Sequence, residues 1–215
     1  FLWPLEKAHR PGDVSFGYLM PLRLPRFRNM RDLIAPLPDR LAPSLTIRAN
    51  ACSLIADSFL QLHAKGLCYH DINFGNIFLA PDNGEICICD NDNVDVNGVP
   101  GSIYGTRKFM APEIVRGEKR PDASTDLYSL AVLLFYVLHN WHALDGRKEA
   151  ELQFLDSQAE QSLYGIDPTF IFDPADQSNG PVLGMHDSVV LAWRSLTDEL
   201  RRLFIRRSEE HTSEL

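Results

Sequence analysis

Short oxygen-bearing side chains fall in two loops that flank one predicted β-hairpin. Asp71 and Asn76 come before the hairpin, and Asp90 follows it directly. Apolar residues 77–79 and 86–89, separated by a turn with the sequence PDNG, predict the two strands. Carboxylate and amide oxygens suit Mg²⁺, which takes oxygen ligands at about 2.1 Å. A solvated turn would also be rich in Asp and Asn, but this order of residues favours a site for a metal and a phosphate.

Composition and charge narrow the classes of protein to consider. The chain has 215 residues, 45% of them hydrophobic, which is typical of a globular domain. A formal net charge of −8 argues against binding to nucleic acid or to an anionic membrane. The longest apolar run, residues 127–138, is shorter than the roughly 20 residues of a membrane span, so it predicts a buried helix. No signal peptide is visible, and four cysteines without CxxC spacing predict reduced thiols in a cytoplasmic protein.

The remaining patterns predict a small β portion followed by a mostly helical lobe, which is an α+β fold. Residues 1–5 and 15–22 alternate as short strands do. Residues 43–66 carry apolar side chains at helical spacing, with Ser44 or Thr46 as a cap and Gly66 at the end. Residues 29–34 predict a short helix, residues 94–106 an irregular loop, and the other expected helices are 126–139, 148–162 and 188–206.

Four motifs in order give the chain a resemblance to eukaryotic-like protein kinases. The segment YHDINFGN at residues 69–76 is similar to the catalytic loop HRDxxxxN, and DND at residues 90–92 stands where DFG is expected. GTRKFMAPE at residues 105–113 resembles GTxxYMAPE, and DLYSLA at residues 126–131 resembles DxxSLG. The variant loops look most like those of a divergent branch of bacterial serine/threonine kinases. The resemblance implies a protein-kinase-like fold with a mostly helical C-lobe.

The resemblance also implies a role for each oxygen-bearing residue. Asp71 would orient the attacking hydroxyl and accept its proton, while Asn76 and Asp90 would hold Mg²⁺ ions that bridge the phosphates of ATP. Thr106 would hydrogen-bond to Asp71 and to Asn73. The implied reaction is phosphoryl transfer from ATP to the Ser or Thr hydroxyl of a protein substrate.

On the nucleotide side, the resemblance places adenine against the segment GYLMPL. Met20 would lie at the back of the pocket, Pro21 and Arg23 would form the hinge, and Phe78 would pack under the adenine ring. Pro21 keeps a carbonyl that can accept from the adenine amino group, and the backbone N–H of Arg23 would donate to the ring. Taken without the resemblance, Phe78 is an ordinary core residue.

Three departures from the family pattern leave other functions open. Asn73 replaces a lysine, His70 replaces the arginine that reads a phosphorylated activation loop, and Asn91-Asp92 replaces Phe-Gly. These changes keep a pseudokinase, a nucleotide-binding scaffold without transfer activity, as an alternative. A small-molecule phosphotransferase of the aminoglycoside-kinase kind is a second alternative, although such enzymes lack the GTxxxMAPE segment.

The same resemblance predicts which part of a kinase domain each range of the chain would form. Residues 1–23 would be the end of the N-lobe and the hinge, and residues 24–206 an incomplete C-lobe. Residues 207–215 resemble the translation of a sequencing-adapter oligonucleotide. The Gly-rich phosphate loop, the strand lysine and the helix glutamate of the family would lie before residue 1, so we expect this piece alone to be inactive.

Overall fold

The computed structural model describes residues 1–12, 14–99 and 101–212, with side chains up to residue 207. The strands are β1 Glu6–His9, β2 Phe16–Leu19, β3 Arg28–Asn29, β4 Leu67–Cys68, β5 Ile77–Leu79, β6 Ile86–Ile88 and β7 Asp95–Val96. The α-helices are α1 Leu45–Ala64, α2 Pro112–Val115, α3 Ala123–His139, α4 Arg147–Ala150, α5 Ser157–Gln161, α6 Asp187–Ser195 and α7 Asp198–Thr212. The fold is mixed α and β, with few and short strands.

Two long helices form the centre of the helical lobe. The Ser44 hydroxyl accepts from the backbone N–H of Ile47 and begins α1. The apolar residues of α1 recur at every third or fourth position, and the face that they form packs into the main core. Asp122 begins α3 with a capping box that Thr125 completes. Most of α3 is buried, as its unbroken apolar run predicts, and α1 and α3 pack against each other.

The predicted hairpin is present and carries the site loops at its open end. Strands β5 and β6 pair antiparallel, with Ile77 opposite Ile88 and Leu79 opposite Ile86. These four side chains face the main core or pack against it. Phe78 and Cys87 form the pair between them and therefore point to the other face. Strand β3 pairs with β5, and β4 pairs with β7.

The prediction of a strand over residues 1–5 was wrong. The first strand begins at Glu6 and pairs with Phe16–Leu19 in a two-stranded sheet whose residues are all exposed. Pro4 has no N–H to give to a ladder. Phe1 instead packs on the helical lobe, where its ring centroid lies 5.6 Å from that of Phe59. The Leu2 N–H donates to the carbonyl of Ile88.

Both of the later predicted helices are interrupted. The segment 148–162 contains α4 and α5, and Asp156 caps α5 by accepting from the N–H groups of Gln158 and Ala159. The segment 188–206 contains α6 and α7, and the Thr197 hydroxyl accepts from the Leu200 N–H at the start of α7. Of the predicted adapter-like tail, residues 207–212 continue α7, while residues 213–215 lie outside the described residues.

Two further expectations concern the apolar run at residues 127–138 and the four cysteines. Among the described helices, none combines the length and the apolar character that crossing a membrane requires. Cys52, Cys68, Cys87 and Cys89 are all free thiols. Cys87 and Cys89 lie on one face of the hairpin, as their spacing predicts, with their sulfur atoms 3.8 Å apart.

Candidate active site

A buried carboxylate fixes the backbone of the loop between β4 and β5. Asp126, near the start of α3, is 2% exposed. Its Oδ2 accepts from the N–H of Tyr69 at 2.6 Å, and its Oδ1 accepts from the N–H of His70 at 3.0 Å. His63 Nε2 lies 3.0 Å from the same Oδ2. Since His70 has a φ of 66°, in the left-handed region, this clamp holds a backbone turn that a non-glycine residue rarely adopts.

Three side chains at the mouth of this loop form one hydrogen-bonded unit. The Thr106 hydroxyl donates to Asp71 Oδ1 at 2.8 Å, and Asn73 Nδ2 donates to the Thr106 hydroxyl at 3.0 Å. Asn73 also donates to the Asp71 carbonyl and accepts from the Gly75 N–H. The contact predicted for Thr106 is therefore present. It joins the loop at residues 69–76 to the segment that leads into α2.

Asn76 is oriented by Asp71 and connected to the hairpin. Its Nδ2 donates to the Asp71 carbonyl at 3.0 Å and to Asp71 Oδ2 at 3.1 Å. Because the amide nitrogen serves Asp71, the amide oxygen is the atom that remains for a cation. The Asn76 carbonyl accepts from the N–H of Cys89, the residue before Asp90. This backbone bond brings the two predicted metal ligands to the same end of the hairpin.

Asp90 lies in a concentration of negative charge. It adopts a left-handed conformation, with φ 59° and ψ 47°, and is exposed. Partial burial, followed by the hydrogen bond and charge of Asp92, raises the pKa of the Asp90 carboxyl, and the charge of Asp71 contributes in the same direction. Asn93 opposes this shift by donating to Asp90 Oδ2 at 3.4 Å. A cation at this position would relieve the repulsion.

These donors fit a magnesium ion that is shared with phosphate. The Asp90 carboxylate and the Asn76 amide oxygen are hard ligands, as Mg²⁺ requires, and Asp92 is adjacent. Among the described residues there is no group of three His, Cys, Asp or Glu side chains that could hold a metal by themselves. Water or phosphate oxygens would therefore supply the other positions of the coordination sphere.

Of the predicted adenine-binding residues, Phe78 lies on β5 of the hairpin, and Arg23 covers its ring. The guanidinium carbon of Arg23 lies 4.1 Å from the ring centroid of Phe78, and Arg23 Nη1 donates to the carbonyl of Phe27. Arg23 thus occupies one face of the Phe78 ring. Met20 and Pro21 directly follow β2 and are exposed. Access of adenine to the covered face of Phe78 requires the Arg23 side chain to move.

Two residues that depart from the family pattern are turned inward. His70 is buried, its Nε2 lies 2.9 Å from the sulfur of Cys68, and a Cβ on Gly101 would come within 3.1 Å of its ring. This position does not present the imidazole to a phosphate. Asn91 is also buried and donates to the Leu2 carbonyl, while its Oδ1 has no hydrogen-bond partner among the residues that the structure describes.

Sequence reasoning missed a second carboxylate, the partly buried Asp145, which anchors the segment after Thr106. Asp145 Oδ2 accepts from Lys108 Nζ at 2.9 Å, and Asp145 Oδ1 accepts from the Tyr164 hydroxyl at 2.8 Å. Burial alone would raise the pKa of Asp145, but the charges and hydrogen bonds of His142 and Lys108 together hold it well below its usual range. His142 Nε2 lies 2.7 Å from the Lys108 carbonyl. No local motif marks Asp145, because its hydrogen-bond donors Lys108 and Tyr164 come from distant segments.

Comparison with known proteins agrees with the resemblance carried by the four motifs. The family described as protein kinase domain matches residues 30–201, which is well over half of the chain. Mouse protein kinase C delta type is 36% identical over 95 residues, covering 42% of this chain and 14% of that protein. Serine/threonine-protein kinase sck2 of Schizosaccharomyces pombe is 33% identical over 84 residues, covering 37% of this chain and 13% of that protein.

A plant relative shows the same pattern of partial coverage. Serine/threonine-protein kinase AtPK1/AtPK6 of Arabidopsis thaliana is 34% identical over 87 residues, which cover 39% of this chain and 18% of the relative. The chain thus spans less than a quarter of the length of these curated relatives. All three come from eukaryotes, and the bacterial branch stays a prediction.

Proposed function

Because this chain belongs to the protein kinase domain family, we propose that the full-length protein transfers the γ-phosphoryl group of ATP to Ser or Thr hydroxyls of other proteins. The observation that carries the proposal is the hydrogen-bonded unit of Asp71, Thr106 and Asn73. It places a carboxylate at the junction of the predicted catalytic loop and the segment that leads into α2. The serine/threonine kinases to which the chain is similar support the substrate class.

Asp71 is the residue that acts on the substrate hydroxyl. Asn76 and Thr106 hold its two carboxylate oxygens from opposite sides, so its direction is fixed before a substrate arrives. The carboxylate orients the hydroxyl and accepts its proton as the oxygen attacks phosphorus. Mg²⁺ held by Asp90 and Asn76 would neutralise charge on the phosphate oxygens. Asn73, where the family has a lysine, brings no charge, and its amide is already engaged within the loop.

A pseudokinase is the second candidate, and two observations favour it. Arg23 lies over the ring that would receive adenine, and Asn91 occupies a buried position that is apolar in the family pattern. Against it, Asp71, Asn76 and Asp90 are all present and come together at one end of the hairpin. A small-molecule phosphotransferase is disfavoured because the GTRKFMAPE segment is present and firmly anchored through Lys108 and Asp145. A cytoplasmic location is also part of the proposal, supported by the four free cysteines.

The decisive experiment replaces Asp71 with Asn in the full-length protein. Single-turnover transfer from labelled ATP to a mixed library of Ser- and Thr-containing peptides should fall about 10²–10⁴-fold, the usual contribution of a general base. Nucleotide affinity should change little, since the carboxylate acts mainly in the transition state.

Asp95→Asn, an exchange on β7 outside the hydrogen-bonded unit, serves as the matched control and should keep full transfer. Retained transfer by a folded Asp71→Asn variant would place the base elsewhere. A wild-type protein that binds ATP but transfers no phosphoryl group to any peptide would favour the pseudokinase.

A further inference from the structure

Arg31 is held beside the catalytic loop by a short 3₁₀ turn, Met30–Ile34. Met30 and Leu33 are each 1% exposed and anchor this turn in the main core. The side chain of Asn29, the residue before this turn, bonds both to the turn and to the catalytic loop. Its Oδ1 accepts from the Arg31 N–H at 2.8 Å, and its Nδ2 donates to the Gly75 carbonyl at 2.9 Å. The backbone of Arg31 therefore has a fixed position relative to the loop that carries Asp71.

The guanidinium of Arg31 lies against the outer end of that loop. Its central carbon is 5.4 Å from the ring centroid of Phe74. Its Nη2 would be 3.4 Å from a Cβ placed on Gly75, and the same Cβ would come within 2.8 Å of Asn73 Oδ1. A side chain at position 75 would thus collide with Asn73 and crowd Arg31, so glycine is what allows the guanidinium to lie this close to the loop. Asn73 in turn bonds through Thr106 to Asp71.

Arg31 is exposed, and it differs from several neighbouring cations because no acidic side chain among the described residues neutralises its charge. Four other cations have acidic partners, namely Glu85 for Arg26, Asp32 for Arg28, Glu160 for Arg107 and Asp145 for Lys108. For Arg31, the structure shows no ion pair or side-chain hydrogen bond within residues 1–12, 14–99 and 101–207. In a chain with a net charge of −8, overall basicity does not explain this exposed arginine.

We propose that Arg31 selects protein substrates with an anionic side chain, a carboxylate or a phosphorylated residue, near the acceptor hydroxyl. A guanidinium presents a planar pair of N–H donors that matches both anions. The lack of a side chain at Gly75 lets the guanidinium approach the loop closely, and its contact with the Phe74 ring limits the freedom of the arginine before binding. This inference rests on the proposed phosphoryl transfer and adds the class of substrate to it.

Peptides with a single acceptor Ser in a neutral background test the proposal with the full-length protein. Asp, phosphoserine, Lys or Ala is placed in turn at each of four positions on both sides of the acceptor. We expect Asp or phosphoserine at one position, or at two close together, to raise kcat/KM about fivefold to tenfold over Ala, mainly through KM. A preference for phosphoserine over Asp identifies phosphorylated substrates, and equal rates identify acidic ones.

Variants of Arg31 test whether this residue produces the preference for an anionic side chain. Arg31→Met should remove it, and Arg31→Glu should reverse it in favour of Lys at the same position, a result that a purely structural role would not produce. Arg28→Met is the matched control, because Arg28 lies three residues away and Asp32 already neutralises it. It should keep the wild-type preference, and all variants should keep the wild-type KM for ATP.

The possible failures can be told apart. Wild-type transfer that does not discriminate between Asp and Ala, or a preference that survives in Arg31→Met, overturns this inference and leaves the proposed function intact. Absence of transfer to every peptide overturns the proposed function and this inference with it.

Discussion

The candidate site has two halves, one around Asp71 and one around Asp90, and they differ in how the protein hydrogen-bonds the carboxylate. Asp71 has a hydrogen-bond donor on each oxygen, from Thr106 and from Asn76. Asp90 accepts a long hydrogen bond from Asn93, while partial burial and the hydrogen bond and charge of Asp92 raise the pKa of its carboxyl. The first half is arranged in advance by the protein, whereas the second has negative charge that the protein leaves largely uncompensated.

This difference corresponds to the parts that phosphoryl transfer requires. A group that orients a hydroxyl must have a fixed direction, and the bonds to Asp71 provide that direction. The ligands of a metal must keep oxygen lone pairs available. Neighbouring carboxylates repel each other, and a bound cation removes this unfavourable energy. The Asp71 half should therefore be sensitive to loss of its supporting contacts, and the Asp90 half to loss of cation binding.

The largest expected effect on stability comes from removing the Asp126 carboxylate, which holds the backbone of the loop that carries Asp71. Asp126→Ala removes the acceptor of two buried N–H groups, those of Tyr69 and His70. Each unsatisfied group costs about 1–3 kcal/mol, so we expect the free energy of unfolding to fall by about 3 kcal/mol in urea titration.

Asp122→Ala, at the N-cap of the same helix, is the control and should cost only about 1 kcal/mol. Equal losses in the two variants would mean that Asp126 acts as an ordinary helix-start residue.

The next effect concerns the metal ligands of the Asp90 half. Asp90→Ala should weaken the magnesium-dependent part of nucleotide affinity at least about tenfold, or about 1.4 kcal/mol, in isothermal titration. The reason is that Asp90 is the carboxylate that directly follows the hairpin, beside Asn76. Asp95→Ala should leave the affinity unchanged. Magnesium dependence that is the same in the Asp90 variant and the wild type would contradict the assignment.

Sequence patterns predicted the elements that depend on local signals. The hairpin, α1 and α3 follow from short apolar runs, helical spacing and end residues, and the contact between Thr106 and Asp71 follows from the resemblance. The break before α7 also had a local signal, since Thr197 followed by Asp-Glu-Leu is a possible N-cap. That signal was outweighed by the apolar periodicity on either side.

Other features could not be predicted because they depend on where distant segments meet. Asp145 receives Lys108 and Tyr164 from segments 37 and 19 residues away. The covering of Phe78 by Arg23 and the approach of Arg31 to Gly75 likewise join parts of the chain that are far apart in sequence. A single sequence indicates residue types and spacing, but it does not indicate which exposed arginine lies over which ring.

The smallest expected effect tests the repulsion within the Asp90 half. Asp92→Asn removes the neighbouring charge but leaves the partial burial of Asp90, so the pKa of Asp90 should move part of the way back to its ordinary value. A carboxyl whose pKa is higher in the folded than in the unfolded state destabilises the fold once it is ionised. Without metal, we therefore expect Asp92→Asn to be more stable than the wild type at neutral pH. The gain should be a few tenths of a kcal/mol, because both groups are exposed.

The pH dependence of this gain distinguishes repulsion from other causes. As the pH falls through the raised pKa of Asp90, the wild-type carboxyl becomes protonated and the repulsion disappears. The difference between the two proteins in thermal unfolding with a chelator should then close in acid. A difference that persists below the ordinary pKa of Asp would show that Asp92 destabilises the loop by another route. With Mg²⁺ and nucleotide added, loss of affinity in Asp92→Asn would instead make Asp92 a third ligand, and unchanged affinity would leave the metal to Asp90 and Asn76.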